Sequence, residues 1–198
     1  NTIDPWDVIA VHGADAFRWY MYTSGPPGET RRFSSRLVGE VIKKFWLTLW
    51  NTYSFFVTYA NIDGWTPADG APPVSERPVL DRWVLSELHA VVQTVTEGYE
   101  NYDVSKATRP VEEFVDGLSN WYVRRNRERF WAEGMSDDKK AAYATLHECL
   151  SVVAHLIAPA MPFLADELYR NLVAEVDKEA VDSVHLAEWV KPNEALID

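Results

Sequence analysis

Apolar residues recur at steps of three and four along almost the whole chain, as in helices that bury one face. Asp4 followed by Pro5 marks a helix start, a capping carboxylate before a ring that pre-sets the first helical φ. Val8, Val11, Ala16, Trp19 and Tyr20 carry that helix to the breaker Gly25-Pro26-Pro27-Gly28. Arg31-Arg32-Phe33 reads as a short extended stretch, and Ser34 or Ser35 caps a long helix over residues 36–61. Its stripe is Val38, Val41, Ile42, Phe45, Leu49, Tyr53, Phe56, Val57 and Ala60. Prolines and glycines make 62–78 a loop. A third helix over 79–102 aligns Leu80, Val84, Leu88, Val91, Val95, Tyr99 and Tyr102. Asp103, with Ser105 as rival, caps a fourth over 104–133, which turns Ala107, Val111, Phe114, Val115, Leu118, Trp121 and Tyr122 inward; Pro110 falls near its first turns. A fifth follows Asp137-Asp138 through Ala141, Leu146, Leu150, Val153 and Leu156; Pro159 and Pro162 interrupt it, and a separate helix resumes over 163–173. The alternation in Ser183-Val184-His185-Leu186-Ala187-Glu188-Trp189 predicts a short extended tail. No fixed period suggests a solenoid. The pattern predicts an all-α fold, an antiparallel helix bundle preceded by a short helical element.

Composition narrows the chemistry. The 198 residues, 47% hydrophobic and 25% charged, suit a globular chain with a core that needs no staples. A lone cysteine, Cys149, excludes an internal disulfide and a Cys-rich zinc site and fits a reducing compartment. Apolar runs break well short of the ~20 residues of a membrane span. The first residues show no basic-then-apolar leader, and they do not begin with Met, which suggests an excised fragment. The five histidines are scattered, and neither a Glu-x-x-His pair, a His-Glu-x-x-His motif nor a nucleotide-binding glycine loop is present. The prolines between Gly25 and Gly28 remove the backbone donors that a phosphate cradle needs. Cys149 falls among Leu146, Leu150 and Val153 and reads as core, while Glu112, Glu113 and Asp116 read as a solvated acidic face. No active site is expected in this chain.

A formal charge of −11 argues against a general nucleic-acid coat, but the charge is segregated. Residues 141–198 hold three basic and ten acidic side chains, whereas Arg18, Arg31, Arg32, Arg36, Lys43 and Lys44 oppose only Glu29 and Glu40. The densest basic stretch is Trp121-Tyr122-Val123-Arg124-Arg125-Asn126-Arg127-Glu128-Arg129-Phe130-Trp131, four arginines and one glutamate flanked by aromatics. On an ideal helix 124, 127 and 131 share one face, and 125 and 129 another. Guanidinium groups match phosphate bidentately, and neighbouring aromatics can stack on unpaired bases. The rival reading is a bundle helix whose Trp and Tyr are core and whose arginines pair with nearby acids.

Asp4-Pro5-Trp6-Asp7-Val8-Ile9 and His12-Gly13-Ala14-Asp15-Ala16-Phe17-Arg18-Trp19-Tyr20 resemble the segment just after the Lys-Met-Ser-Lys-Ser loop of class I aminoacyl-tRNA synthetases. Leu47-Thr48-Leu49-Trp50-Asn51-Thr52-Tyr53-Ser54-Phe55-Phe56 with Tyr59-Ala60-Asn61-Ile62-Asp63 is similar to the first anticodon-bundle helix of the isoleucyl family. Leu118-Ser119-Asn120-Trp121-Tyr122-Val123-Arg124-Arg125 and Ser183–Trp189 point the same way. The valyl and leucyl families share the architecture and stretches such as Phe163-Leu164-Ala165-Asp166-Glu167-Leu168.

The resemblance, which covers essentially the whole chain, implies a parent that joins isoleucine to tRNA(Ile) with ATP and Mg, a cytoplasmic monomer without membrane attachment. The family's His-Ile-Gly-His motif and editing domain do not occur here, so no catalysis and no cofactor are expected of this chain. It implies a stem-contact or linker element over 1–34, an anticodon-binding bundle with a short tail over 35–198, and contact with the parent's catalytic domain. Arg124, Arg125, Arg127 and Arg129 are expected to meet phosphate and Asn126 a base or ribose edge. Lys43, Lys44, Trp50 and Asn51 are weaker candidates for the same surface. Arg31 and Arg32 face either the tRNA backbone or the catalytic domain. For Trp121 and Tyr122 the core reading leads, from their register with Val111, Phe114 and Leu118. The alternatives are a valyl-type anticodon domain and a helical module that contacts protein.

Overall fold

The computed structural model describes residues 3–25, 28–30 and 33–198, so Arg31 and Arg32 of the expected extended stretch, and the contacts expected of them, lie outside the described residues. Helix α1, Pro5–His12, starts where Asp4 accepts the Trp6 N–H at 2.9 Å. It does not run on as one helix. Gly13 takes a φ of 82°, a conformation that costs other residues strain, and redirects the chain into α2, Ala14–Thr23. The apolar positions on either side of Gly13 stay in helical register, which is why their pattern alone predicts a single helix.

Helix α3 is capped by the Ser34 hydroxyl and passes from Ser35–Val41 through a wider π-helical segment, Ile42–Trp46, into Leu47–Asp63. Two 3-10 turns, Pro67–Asp69 and Val74–Glu76, lead to α4, Val79–Glu100. Asp103, not Ser105, caps α5, accepting the Lys106 N–H at 3.0 Å. This helix comprises Val104–Gly117, a second π-helical segment Leu118–Val123, and Arg124–Trp131. Ser136 caps α6, Asp137–Ile157, and α7 begins as Pro162–Tyr169 and widens over Arg170–Ala174. The described residues contain no strand.

The tail departs from expectation. Rather than extending, 183–187 folds into turns (Leu186 N–H to Ser183 O at 3.0 Å, Ala187 N–H to Val184 O at 3.3 Å) held by the Asp166 carboxylate, which accepts from Ser183 and Val184. Val184 is buried and Trp189 donates to Thr96 at 2.9 Å, while Leu186 between them is 71% exposed, so the segment is pinned to other helices at two points and forms no strand.

Helices α3 to α6 form the bundle. Trp19 stacks on Phe45 at 4.4 Å and donates to Glu112 at 2.7 Å, while Phe55 meets Phe130 and Tyr59 meets Trp131. Early residues of α3 therefore pair with early residues of α5, and late with late, so these two run parallel. Helices α4 and α6 run against them, with Tyr143 of α6 set edge-on to Phe56 and Phe130. The element α1–α2 docks on this bundle by reciprocal bonds: Arg18 donates to the Pro159 and Ala160 carbonyls at 2.7 and 3.0 Å, and Asp15 accepts the Phe163 and Leu164 N–H groups at the start of α7.

The α4–α5 hairpin closes at Gly98, where an added Cβ would lie 2.5 Å from the Ala107 backbone nitrogen. Backbone cannot yield as a flexible side chain does. Gly98→Ala is expected to lower the unfolding free energy by about 1–3 kcal/mol, measured by urea denaturation; an unchanged midpoint would contradict this packing.

Candidate nucleic-acid interface

The arginine-rich end of α5 owes its orientation to the π-helical segment 118–123. In an uninterrupted α-helix continuing the stripe of Val111, Val115 and Leu118, Arg125 and Arg129 would fall on the core face. The wide turn inserts about one residue of rotation. The buried positions become Tyr122, Val123, Asn126 and Phe130, and Arg124, Arg125 and Arg127 emerge in solvent.

Arg129 and Asn126 are corrections to the expected interface. Arg129 is only 14% exposed, and its guanidinium makes five donor contacts inside the protein. It donates to both Asp81 carboxylate oxygens at 2.6 and 2.8 Å, to Asn126 Oδ1 at 3.0 Å, and to the Asp138 carboxylate and carbonyl at 3.0 and 2.8 Å. A guanidinium has five N–H donors, so none is left for phosphate. Burial works against its charge, but the Asp81 carboxylate beside it raises its pKa and keeps it protonated. Asn126, buried, also donates to the Tyr122 carbonyl at 2.8 Å, and Tyr122 donates its hydroxyl to Asp81. Asp81 was not singled out from sequence. Its signal is a carboxylate in register with Val84, Leu85 and Leu88 on the core stripe of α4.

Arg124, Arg125 and Arg127 are exposed, and no carboxylate among the described residues lies within ion-pair distance of them. Arg125 lies flat on Trp121, its Cζ 3.6 Å from the ring centroid. Trp121 is thus not core, as its register suggests, but 47% exposed; Tyr122 is fully buried. Asn51 is exposed on the stretch of α3 that packs beside 118–123. Lys43 and Lys44 are exposed but belong to another level: Lys43 pairs with Glu40 at 3.7 Å, and Lys44 is close enough to Glu112 to lower its pKa. At ~1.5 Å per residue, Arg124 lies about 18 Å farther along α5 than Glu112. Trp50 points elsewhere, stacked near Trp46 in a cleft with His12, Phe163 and Glu167.

Other chemistry is scarce. Burial pushes the Cys149 thiol well above its usual range, which leaves it inert at neutral pH. The described residues hold no group of three or more His, Cys, Asp or Glu side chains able to bind a metal ion. No helix among them is long and apolar enough to cross a membrane.

A family model described as the anticodon-binding domain of tRNA ligase matches residues 81–198, which include Asp81, the π-helical segment and the arginines. The chain belongs to the anticodon-binding domain family of tRNA ligases. It is similar over its whole length to the isoleucine–tRNA ligases of Dehalococcoides mccartyi (54% identical), Thermus thermophilus (51%) and Clostridium novyi (46%). It spans 19% of the length of each of these relatives. A solved chain from the ternary complex of Agrobacterium radiobacter K84 agnB2 LeuRS with tRNA and LeuAMS shares the fold, with a TM-score of 0.66 at 18% identity over 100% of this chain and 22% of that one.

Glu112 is not part of a solvated acidic face. It is half-buried, and burial raises its carboxyl above the ordinary 4.5 despite the Trp19 N–H and the charges of Arg109 and Lys44. A raised folded pKa means the native state holds its proton longer than the unfolded chain, so stability falls as pH rises from the unfolded value through the folded one. Glu112→Gln keeps a neutral acceptor for Trp19. Thermal unfolding is expected to show the variant more stable than the parent chain at pH 7, the gap closing towards pH 4; a less stable variant at pH 7 would refute the desolvation account.

Proposed function

We propose that this chain is the tRNA-docking part of an isoleucine–tRNA ligase, and that Arg124, Arg125 and Arg127 take phosphates of the anticodon stem and loop of tRNA(Ile). The observation that carries the reading is an unpaired arginine face on α5 within the segment matched by the anticodon-binding family, in a chain 46–54% identical to the isoleucine–tRNA ligases compared. Guanidinium groups without internal carboxylate partners are free to exchange water for phosphate oxygen. Arg129 holds the platform from inside and does not meet the RNA. Asn51 lies beside this face, whereas Lys43 and Lys44 suit a second backbone contact higher on the bundle. Activation of isoleucine with ATP and Mg belongs to a catalytic domain of the parent, a cytoplasmic monomer on this reading. This chain supplies position, not chemistry.

Because the protein is acidic overall, docking rests on local charge and is strongly salt-dependent. Each phosphate neutralised contributes about −0.7 to −0.9 to the slope of log K against log salt. In anisotropy titrations with a tRNA(Ile) transcript, Arg124→Ala/Arg125→Ala is expected to weaken binding at low salt and flatten that slope by about 1.5, with the helical circular dichroism unchanged. A parallel titration with a valine tRNA separates the isoleucyl from the valyl reading. Salt response identical in the parent chain and the variant would refute the assigned face.

A further inference from the structure

Resting on that reading, and deepening it at one point, we infer that Trp121 and Arg125 form a seat for a single unpaired nucleotide of the RNA loop. The base stacks on the indole–guanidinium pair, and the adjoining phosphate meets the guanidinium edge.

Four observations on the pair carry this. Trp121 is 47% exposed at the outer edge of a helix whose inward positions are already filled by Leu118, Tyr122 and Val123, so the bundle does not need its indole for packing. No other aromatic ring among the described residues stacks on it, in a protein whose buried rings are otherwise extensively paired. Arg125 covers one of its faces at 3.6 Å, and that guanidinium has no carboxylate partner. Glu128, one turn on and exposed, is bridged to neither Arg124 nor Arg125.

A guanidinium lying flat on an indole keeps its five N–H groups in the plane, directed outward from the stack. The pair therefore presents two surfaces at once: a flat π-face for a base and a fork of donors at its rim for phosphate. Bases within a duplex are stacked on their own neighbours and have no free face to offer, so the occupant is an unpaired nucleotide. The π-helical segment 118–123 contains Trp121 and ends next to Arg124. The same wide turn that rotates the arginines outward thus sets the platform beside them. The site discriminates single-stranded from paired RNA and tolerates different bases, because stacking does not read hydrogen-bonding edges.

The test compares an RNA hairpin with a fully paired duplex of equal phosphate number, titrated against the 198-residue chain and its Trp121→Ala, Trp121→Phe and Arg124→Ala variants across a salt series. Trp121→Ala is expected to weaken hairpin binding about tenfold, with the salt slope and the duplex affinity unchanged, while Trp121→Phe retains most of the hairpin affinity. Arg124→Ala is expected to weaken both RNAs and to flatten the slope. Equal loss on hairpin and duplex, or no loss on the hairpin from Trp121→Ala while Arg124→Ala still flattens the slope, overturns the nucleotide seat and leaves the docking surface standing. Absence of salt-sensitive binding to either RNA by the parent chain overturns both.

Discussion

Asp81 has no exposed surface, and a carboxylate in that position is tolerated only if its charge is matched and its oxygens are filled. Arg129 supplies the charge through two bonds and Tyr122 supplies a third. The remaining donors of Arg129 reach Asn126 and Asp138. One ion pair therefore ties the start of α4, the last turns of α5 and the start of α6 to each other. Removing Arg129 would strand the buried Asp81 charge, and removing Asp81 would leave the largely buried Arg129 with only the half-exposed Asp138 as counter-ion. The outer face that α5 presents depends on this inner contact.

The same pair explains how an acidic bundle keeps a basic edge. Four arginines follow closely in sequence, and an unbroken helix would bury two of them. The π-helical segment shifts the register so that one, Arg129, enters the ion pair and three face water. The wide turn is followed by Asn126, whose side chain bonds the Tyr122 carbonyl, and by Phe130, which packs between Phe55 and Tyr143. Buried and solvent-facing places are thus divided among identical residue types by rotation about one axis.

Much of the fold was legible because it depends on local pattern. The caps at Asp4, Ser34 and Asp103, the proline-rich loop before α4 and the break ahead of Pro162 follow from side-chain oxygens and fixed φ angles. The helix break at Gly13 was not legible, since apolar positions before and after it remain in phase. Nor were the π-helical segments, which alter register without leaving a breaker. That shift of register is why Asn126 read as surface and Trp121 as core, whereas Arg129 read as surface from its charge alone, and Tyr122 and Cys149 read correctly as buried. The tail failed for a different reason: its apparent alternation has no buried face behind it, since Leu186 is exposed and only Val184 and Trp189 are pinned to the helices. Resemblance carried the function further than pattern did, because an unpaired arginine face does not by itself name its polyanion.

The account stands most directly on the coupling between Asp81 and Arg129. A double-mutant cycle in urea, with Asp81→Leu, Arg129→Met and the two combined, measures it. Each single change should cost about 3–5 kcal/mol, and the double change should cost far less than their sum, because no charge is then left unpaired. Two small, additive losses would contradict the claim that this pair holds the bundle and fixes the face that α5 presents.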